Sequence, residues 1–328
     1  MPIVKPEETR DLELHLRFMG DWGVANFHRL CGWIAAGLRW RAAPGSTFVI
    51  HTMSGLDESL DSVAEGRVDL AVVTPIVTAA MYRDGRGLFE TPHPRIQAVA
   101  ALPHRDRLVL ALGADVAEQY GIRTYADIAA KKPPLTIATS ESEKGNPIYL
   151  CIEEILGAYG MKWDDLERWG GHWIEVVRPP QAIPMVASGE ADGIFYEAVM
   201  TWHRMAEQRP LRFIPVDPAV LDDLHRRYGF ERADIEPGEY PGVESSVPAV
   251  DFSQWLLIVR DDLPEHVAHL IAQVIVENRG DFEAQYRARP AKESPLHYPI
   301  EPGEIWKTAP VPLHAGAARY YRELGVMP

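Results

Sequence analysis

Ionisable side chains stand close to the ends of several apolar runs in the sequence. Asp21, His51 and Glu197 are the clearest cases. Clustered titratable groups serve acid/base catalysis, because burial and like charges pull their pKa values apart. The same set can instead be solvated charges at the rim of a binding site. If the protein is an enzyme, those three are the predicted catalytic residues, and four more ionisable groups accompany them: His104, Glu141, Glu143 and Asp251.

Small polar residues and a few aromatic residues occupy the same loops, where predicted strands lead into predicted helices. Free backbone N–H groups at such helix starts bind carboxylates, and aromatic side chains form the apolar walls of small-ligand pockets. The alternative is that the polar residues only cap helices and the aromatic residues belong to the core. The predicted ligand-binding residues are Asp21, Trp22, Gly23, Asn26, Phe27, His51, Ser54, Gly55, Thr74, Thr139, Ser140, Glu141, Asn146, Tyr196, Glu197 and Trp255.

Apolar periodicity places these residues on alternating strands and helices. Leu12–Phe18 alternates apolar and polar residues as a strand does, and a helical pattern follows from Phe27 to Leu38. Further strands are predicted at Phe48–Thr52, Val68–Val73 and Leu135–Thr139. Alternating strands and helices favour a doubly wound sheet, which binds ligands beyond the carboxyl ends of its strands.

The loop after Leu135–Thr139 repeats this strand, loop and helix arrangement, with Asn146 as a helix cap and Pro147 at the first helical position. A second repeat links Val63–Asp69 and Val186–Asp192, in which a helix ends at Gly and a strand begins at Asp. These repeats predict two similar lobes.

The predicted fold is therefore α/β and two-lobed. Each lobe is a mostly parallel sheet flanked by helices, and the ligand cleft lies between the lobes. Lobe I comprises residues 1–109 and 250–328, and lobe II comprises residues 110–249.

Two apolar stretches, Gln97–Leu112 and Ser253–Val259, are predicted to cross between the lobes as hinge strands. The Pro- and Gly-rich segment Ile235–Val250 is predicted to wrap the surface between them. Helices are expected over Leu263–Asn278 and His314–Glu323.

Composition excludes several classes of function. The chain has 328 residues and a formal charge of −14, which disfavours nucleic acid as a partner. Its two cysteines, far apart in sequence, are predicted to be buried thiols. No motif for a nucleotide cofactor is present and the histidines lack metal-ligand spacing, so no cofactor and no metal are predicted.

No apolar run is long enough to span a bilayer, so no membrane insertion is predicted. The first residues lack the features of a secretory signal. The sequence as it stands therefore predicts a cytoplasmic protein, or a periplasmic one if a signal has been removed.

The chain resembles the TAXI family of solute-binding proteins, which serve tripartite TRAP transporters. The resemblance rests on the glycine loop Gly20–Asn26, the helix-Gly-x-x-Asp-strand unit that ends at Thr74, the segment Leu135–Asn146 and the tail Val311–Gly325. That tail, VPLHAGAARYYRELG, is close to the family's ending, with Ala315 where Pro is usual.

This resemblance implies the type-II periplasmic-binding-protein fold. It also implies a solute-binding protein that captures a small organic carboxylate by lobe closure and delivers it to a TRAP-type membrane permease. Two other functions stay open. One is a cytoplasmic enzyme on the same fold, such as a cofactor-independent decarboxylase or hydrolase of an aromatic or dicarboxylic acid. The other is an intracellular sensor that binds a ligand and a second protein without turnover.

Overall fold

The computed structural model of the chain describes residues 12–21, 26–53 and 56–328. Contacts divide the chain into two compact units. Unit 1 contains residues up to His104, Gln254–Arg289 and Leu296–Pro328, and unit 2 contains Arg105–Ser253 and Pro290–Pro295. These junctions lie a few residues from the 109/110 and 249/250 limits predicted above. The two strands at those limits, Arg107–Gly113 and Val247–Asp251, pair with other strands of unit 2.

Strands and helices alternate along most of the described chain. The strands are β1 His15–Asp21, β2 Thr47–Met53, β3 Leu70–Val73, β4 Ile96–Leu102, β5 Arg107–Gly113, β6 Thr136–Thr139, β7 His172–Glu175, β8 Gly193–Tyr196, β9 Leu211–Ile214, β10 Arg232–Ile235, β11 Val247–Asp251 and β12 Trp255–Arg260. The helices are α1 Asn26–Arg39, α2 Leu56–Ala64, α3 Val77–Asp84, α4 Ala114–Gln119, α5 Tyr125–Lys131, α6 Pro147–Ala158, α7 Asp165–Arg168, α8 Pro179–Ser188, α9 His203–Gln208, α10 Pro218–Tyr228, α11 Glu265–Glu277, α12 Arg279–Ala284 and α13 Ala315–Glu323.

Unit 1 is built on a sheet with the strand order β2-β1-β3-β12-β4. Strand β12 runs antiparallel to β3 and β4, so the other four described strands share one direction. The predicted alternation is confirmed in β1, where Leu16 and Phe18 are buried and His15 and Arg17 are exposed. One face of the sheet packs on α1 and α11, and the other face packs on α2 and α3.

The C-terminal tail completes unit 1. Its last helix, α13, packs against α11, and Leu313 forms a bridge to Ala98 in β4. Gly316 makes this packing possible, because a Cβ atom there would lie 1.9 Å from the carbonyl oxygen of Glu265. The helices predicted over Leu263–Asn278 and His314–Glu323 are confirmed as α11 and α13.

Unit 2 is built on a sheet with the strand order β10-β11-β5-β8-β6-β7, and β9 pairs with β5 beside β11. Strands β6, β7 and β8 are parallel, and β5 runs antiparallel to β8. Each unit therefore contains a strand that runs antiparallel to its neighbours and begins just after the chain enters that unit. This strand is β12 in unit 1 and β5 in unit 2. The predicted two-sheet α/β fold class is confirmed.

The predicted start of α6 is confirmed in detail. Asn146 is the N-cap residue and its Oδ1 accepts a hydrogen bond from the backbone N–H of Ile148 at 2.9 Å, while Pro147 occupies the first helical position. The cysteine prediction is also confirmed, since Cys31 and Cys151 are both buried free thiols.

The prediction for Ile235–Val250 was wrong. Instead of a wrapping surface segment, this stretch belongs to an antiparallel hairpin of β10 and β11 within unit 2. Gly238 and Gly242, both with positive φ, lie in its connection, and Pro248 lies opposite Asp234 in the pairing. The Pro- and Gly-rich composition reflects the long connection over residues 236–246 rather than an absence of strands.

Candidate functional site

The carboxyl ends of parallel strands define one edge of the sheet in each unit. The first edge, in unit 1, is formed by Asn26, Thr74, His104 and Gln254, which follow or precede the strands there, and by Trp255, the first residue of β12. The second edge, in unit 2, is formed by Asp106, Ser140, Glu141, Tyr196 and Glu197. Most of the predicted ligand-binding residues that the structure describes lie at one of these two edges.

The start of α1 sits directly against the end of β1 at the first edge. Gly20 allows this approach, because a Cβ atom at that position would lie 2.6 Å from the Cα atom of His28. Asn26, the first residue of α1, is fixed by the hydroxyl of Tyr286, which donates to its Oδ1 at 2.9 Å. The first turn of this helix is thereby held in one position.

An aromatic cluster lies beneath the start of α1. The Trp255 ring meets Phe27 edge-on with centroids 5.5 Å apart, and it stacks on His104 at 4.8 Å. Tyr286 adds a third ring at 6.4 Å from Trp255. Trp255 is only 2% exposed, so it supports the first edge from the core side rather than lining an open surface.

At the first edge, the segments that follow β4 and precede β12 are joined to the residue after β3 by hydrogen bonds. The Thr74 hydroxyl donates to the carbonyl oxygen of Gln254 at 2.9 Å, and the Gln254 N–H donates to the carbonyl oxygen of His104 at 2.7 Å. Thr74, predicted as a ligand residue, therefore uses its hydroxyl hydrogen to fix the backbone of a neighbour.

Two predicted unit 1 residues lie on strands rather than in loops. His51 is exposed on the edge strand β2 and pairs in register with Met19, two residues before the end of β1. Asp21 is the last residue of β1 and pairs with Met53, and its side chain lies outside the described part. Four further predictions also lie outside the described residues: Trp22, Gly23, Ser54 and Gly55.

At the second edge, the loop after β6 is closed by its own side chains. The Asn146 amide Nδ2 donates to Ser140 Oγ and to the carbonyl oxygen of Glu141, each at 2.8 Å. The Glu175 carboxylate accepts hydrogen bonds from Ser142 N at 2.9 Å and Ser142 Oγ at 2.8 Å. Glu175 thus satisfies both the backbone N–H and the hydroxyl of Ser142.

Thr139 and Tyr196 are buried at the ends of the two adjacent strands β6 and β8. The Thr139 hydroxyl donates to the carbonyl oxygen of Phe195 at 2.8 Å, and the Tyr196 hydroxyl donates to that of Val176 at 3.2 Å. Burial raises the pKa of Tyr196 well above its usual value, and the carboxylates of Glu197 and Glu141 raise it further. Tyr196 is therefore a neutral hydrogen-bonding group at neutral pH.

The loop after β8 is organised by Asp106, a residue that the sequence did not indicate. Its carboxylate, 1% exposed, accepts hydrogen bonds from the backbone N–H groups of Ala198 at 2.8 Å and Val199 at 3.0 Å. Ala198 has a φ of 65°, in the left-handed region. Successive N–H groups in this conformation form a nest for anions, and Asp106 fills that nest from within the chain.

A buried ion pair supports the same region of unit 2. Arg107, 2% exposed, bonds through Nη2 to the carboxylate of Glu239. The hydroxyl of the neighbouring Tyr240 donates to the carbonyl oxygen of Val199, which also follows β8. Since charges are buried only when they are paired, this pair ties the β10–β11 connection to the start of β5.

Sequence reasoning missed four residues that shape the edges: Asp106, Glu175, Gln254 and Tyr286. One signal was available for the first of them. The charged residues Arg105, Asp106 and Arg107 interrupt the apolar stretch Gln97–Leu112 at the point where the chain enters unit 2. The other three act through main-chain or distant side-chain contacts that carry no local pattern.

Neither a metal cluster nor a membrane helix is found in the described part of the chain. Residues 12–21, 26–53 and 56–328 contain no group of three His, Cys, Asp or Glu side chains placed to hold an ion. None of the helices in those residues is long and apolar enough to cross a bilayer.

Solved structures match most of this chain at low sequence identity. A periplasmic transporter matches with a TM-score of 0.50 and 13% identity, over 88% of this chain and 90% of that chain. A TctC solute-binding protein from Polaromonas matches with a TM-score of 0.49 and 11% identity, over 87% and 91%. A protein from Bordetella bronchiseptica RB50 matches with a TM-score of 0.49 and 13% identity, over 95% and 98%.

The first of these matches, together with the two α/β units, places the fold in the two-lobed periplasmic-binding-protein class. Residues 41–325 match the sequence profile of the NMT1-like family. The chain belongs to the NMT1-like family.

Proposed function

We propose that the protein is a solute-binding protein that captures a small organic carboxylate by lobe closure, as TAXI proteins of TRAP systems do. The observation that carries this proposal is the membership of the NMT1-like family on a two-lobed binding-protein fold. The similarity of the tail Val311–Gly325 to the TAXI ending supports the finer assignment. In this role the protein works in the periplasm and delivers its solute to a TRAP-type permease.

The hydrogen bonds at the two edges suggest where the carboxylate binds. At the second edge, the N–H groups of Ser142, Ala198 and Val199 already donate to Glu175 and Asp106. A further carboxylate there would compete with these internal anions and repel them. We therefore propose that the ligand carboxylate binds at the first turn of α1, whose N–H groups have no partner within the helix.

Thermal-shift and calorimetric titrations test the proposed ligand class. We expect saturable stabilisation by some mono-, di- or aromatic carboxylates, and none by the corresponding primary amides, which keep the shape but lose the charge. A folded protein that responds to no carboxylate in a broad panel, or equally to acid and amide, would contradict the proposal.

The substitution Asn26→Asp tests the proposed position of the carboxylate. Aspartate keeps the oxygen that accepts from Tyr286, and a negative charge in the first turn favours the helix. The same charge repels a bound carboxylate, so we expect at least about a tenfold loss of affinity, about 1.4 kcal/mol, without loss of stability.

The matched control is Asn278→Asp in the same unit. Asn278 precedes α12 and accepts a hydrogen bond from Arg41 at 3.2 Å, away from the start of α1. It adds the same charge to unit 1 and should leave the affinity unchanged. Equal losses in both variants would point to net charge rather than to a contact at Asn26.

Mass spectrometry of the bound ligand separates binding from turnover. Prolonged incubation with any ligand found in the titrations should return it unchanged. Conversion to a decarboxylated or hydrolysed product would favour the enzyme hypothesis instead, and variants at Asp21, His51 and Glu197 would then identify the residues responsible.

A further inference from the structure

Gln254 has an unusual backbone conformation at the first edge. Its φ is 69°, and it is one of three non-glycine residues with positive φ in the described part of the chain. Lys132, another of the three, closes helix α5 in the ordinary way for a helix end. Gln254 has no such role, because it directly precedes strand β12.

Two hydrogen bonds hold Gln254 in this strained conformation. Its N–H donates to the carbonyl oxygen of His104 at 2.7 Å, and its carbonyl oxygen accepts from the Thr74 hydroxyl at 2.9 Å. A strained backbone conformation persists where the surrounding contacts hold it, and such conformations cluster at binding sites. The partners that hold Gln254 are themselves residues beyond the ends of β3 and β4.

The side chain of Gln254 carries the second unusual feature. Its Oε1 atom is buried and has no hydrogen-bond partner among residues 12–21, 26–53 and 56–328. Buried acceptors in native proteins almost always have a donor, so this oxygen is available to a donor on a bound molecule. It lies at the edge where the ligand is proposed to bind.

We propose that Gln254 is a specificity-determining residue, whose Oε1 accepts a hydrogen bond from a hydroxyl or ammonium group of the ligand. The inference rests on the proposed function and narrows its ligand class. The preferred solute is then a hydroxy- or amino-substituted carboxylate rather than the unsubstituted acid. The two main-chain hydrogen bonds fix the backbone that carries this side chain before the ligand arrives.

Matched ligand pairs test this inference in the full chain. The probes are succinate with malate and aspartate, and propionate with lactate and alanine, titrated by calorimetry. In the unaltered protein at least one substituted acid should bind about tenfold or more tightly than its parent, because the parent leaves the buried acceptor unpaired.

The substitution Gln254→Met keeps the length of the side chain and removes the acceptor. We expect it to bring the ratio between substituted and parent acid close to one, with little change in the affinity for the parent. Gln273→Met, on α11 in the same unit, is the control, since that carboxamide already pairs with Glu277 at 2.8 Å. The control should keep the full discrimination.

A third variant separates backbone strain from side-chain chemistry. Gln254→Gly relieves the positive φ and should raise the melting temperature, yet it should lose the discrimination as Gln254→Met does. Discrimination that survives in both variants would overturn the inference, as would carboxylate binding without any preference for substituted acids. In either case the proposed function stands, whereas a chain that binds no carboxylate would overturn both.

Discussion

Asp69 holds the main chain of Arg17 at both of its hydrogen-bonding groups. The Asp69 N–H donates to the carbonyl oxygen of Arg17 at 2.8 Å, and its Oδ2 accepts from the Arg17 N–H at 2.7 Å. In unit 2, Asp192 repeats both bonds with Thr136, at 2.7 Å and 2.8 Å. In each unit the aspartate follows a left-handed glycine, Gly66 or Gly189, and directly precedes a central strand, β3 or β8.

The substitution Asp192→Ala should destabilise the protein without affecting ligand binding. It leaves the Thr136 N–H without its charged acceptor, and such a loss costs about 1.5 to 3 kcal/mol of the free energy of unfolding. Binding should be unchanged, because Asp192 lies at the sheet edge opposite the second edge. Urea denaturation measures the effect, with Glu190→Ala at an exposed neighbouring position as the control. Equal stability of the two variants would contradict the assigned role of Asp192.

The substitution Ala198→Gly should stabilise the protein. Ala198 has a φ of 65°, which costs an alanine about 1 to 2 kcal/mol and a glycine almost nothing. After the entropy cost of glycine, a net gain of about 0.5 to 1 kcal/mol is expected. Ala187→Gly in helix α8 should instead lower stability by a similar amount. Thermal denaturation of both variants tests the difference in sign, and a loss in both would argue against strain at Ala198.

The substitution Tyr286→Phe should weaken ligand binding severalfold. It removes the hydroxyl that fixes Asn26 at 2.9 Å and keeps the ring beside Trp255. Tyr321→Phe is the matched control, since its hydroxyl donates to the carbonyl oxygen of Val99 at 3.0 Å within the core. Both changes should lower the free energy of unfolding by about 1 kcal/mol. Calorimetric titration with a ligand from the carboxylate panel should show weaker binding for Tyr286→Phe alone. Equal affinities of the two variants would contradict a positioning role for Tyr286.

His314 should make the stability of the protein depend on pH. Burial lowers the pKa of His314 below its usual value of 6.5, so the unfolded chain takes up a proton at a higher pH than the folded chain. Above pH 6.5, His314 therefore does not reduce the free energy of unfolding. As the pH falls below that value, protonation of His314 in the unfolded chain lowers the free energy of unfolding.

The substitution His314→Asn isolates this effect. Asparagine supplies an acceptor for the Gly316 N–H, which His314 Nδ1 now accepts at 3.2 Å, and it does not titrate. Denaturation at about pH 7.5 and about pH 5.5 should show a smaller loss for the variant than for the unaltered protein. Parallel losses in the two proteins would assign the pH dependence to other groups.

Local patterns predicted the elements of this fold well. The alternation in Leu12–Phe18, the cap at Asn146 and the Gly-x-x-Asp repeats each describe contacts between residues that are close in sequence or that follow a regular period. The hairpin of β10 and β11 was missed because Gly and Pro within Ile235–Val250 indicate turns but do not show which strands they join.

The candidate site could be predicted only in part. Loops beyond strand ends follow from the topology of an open sheet, so the two edges were predicted in outline. The residues that organise them were not, because Asp106, Glu175 and Tyr286 act on main chain or side chains up to 260 positions away. Their own sequence neighbourhoods give no sign of these partners.

The discontinuity of unit 1 has a consequence for synthesis on the ribosome. Unit 2 is almost complete once Ser253 has emerged, whereas unit 1 needs Leu296–Pro328, which includes α13 and the bridge to β4. The first 104 residues therefore wait for the last segment of the chain before their core closes. We expect the nascent chain to expose apolar strands of unit 1 throughout translation, and to need a holding chaperone during that interval.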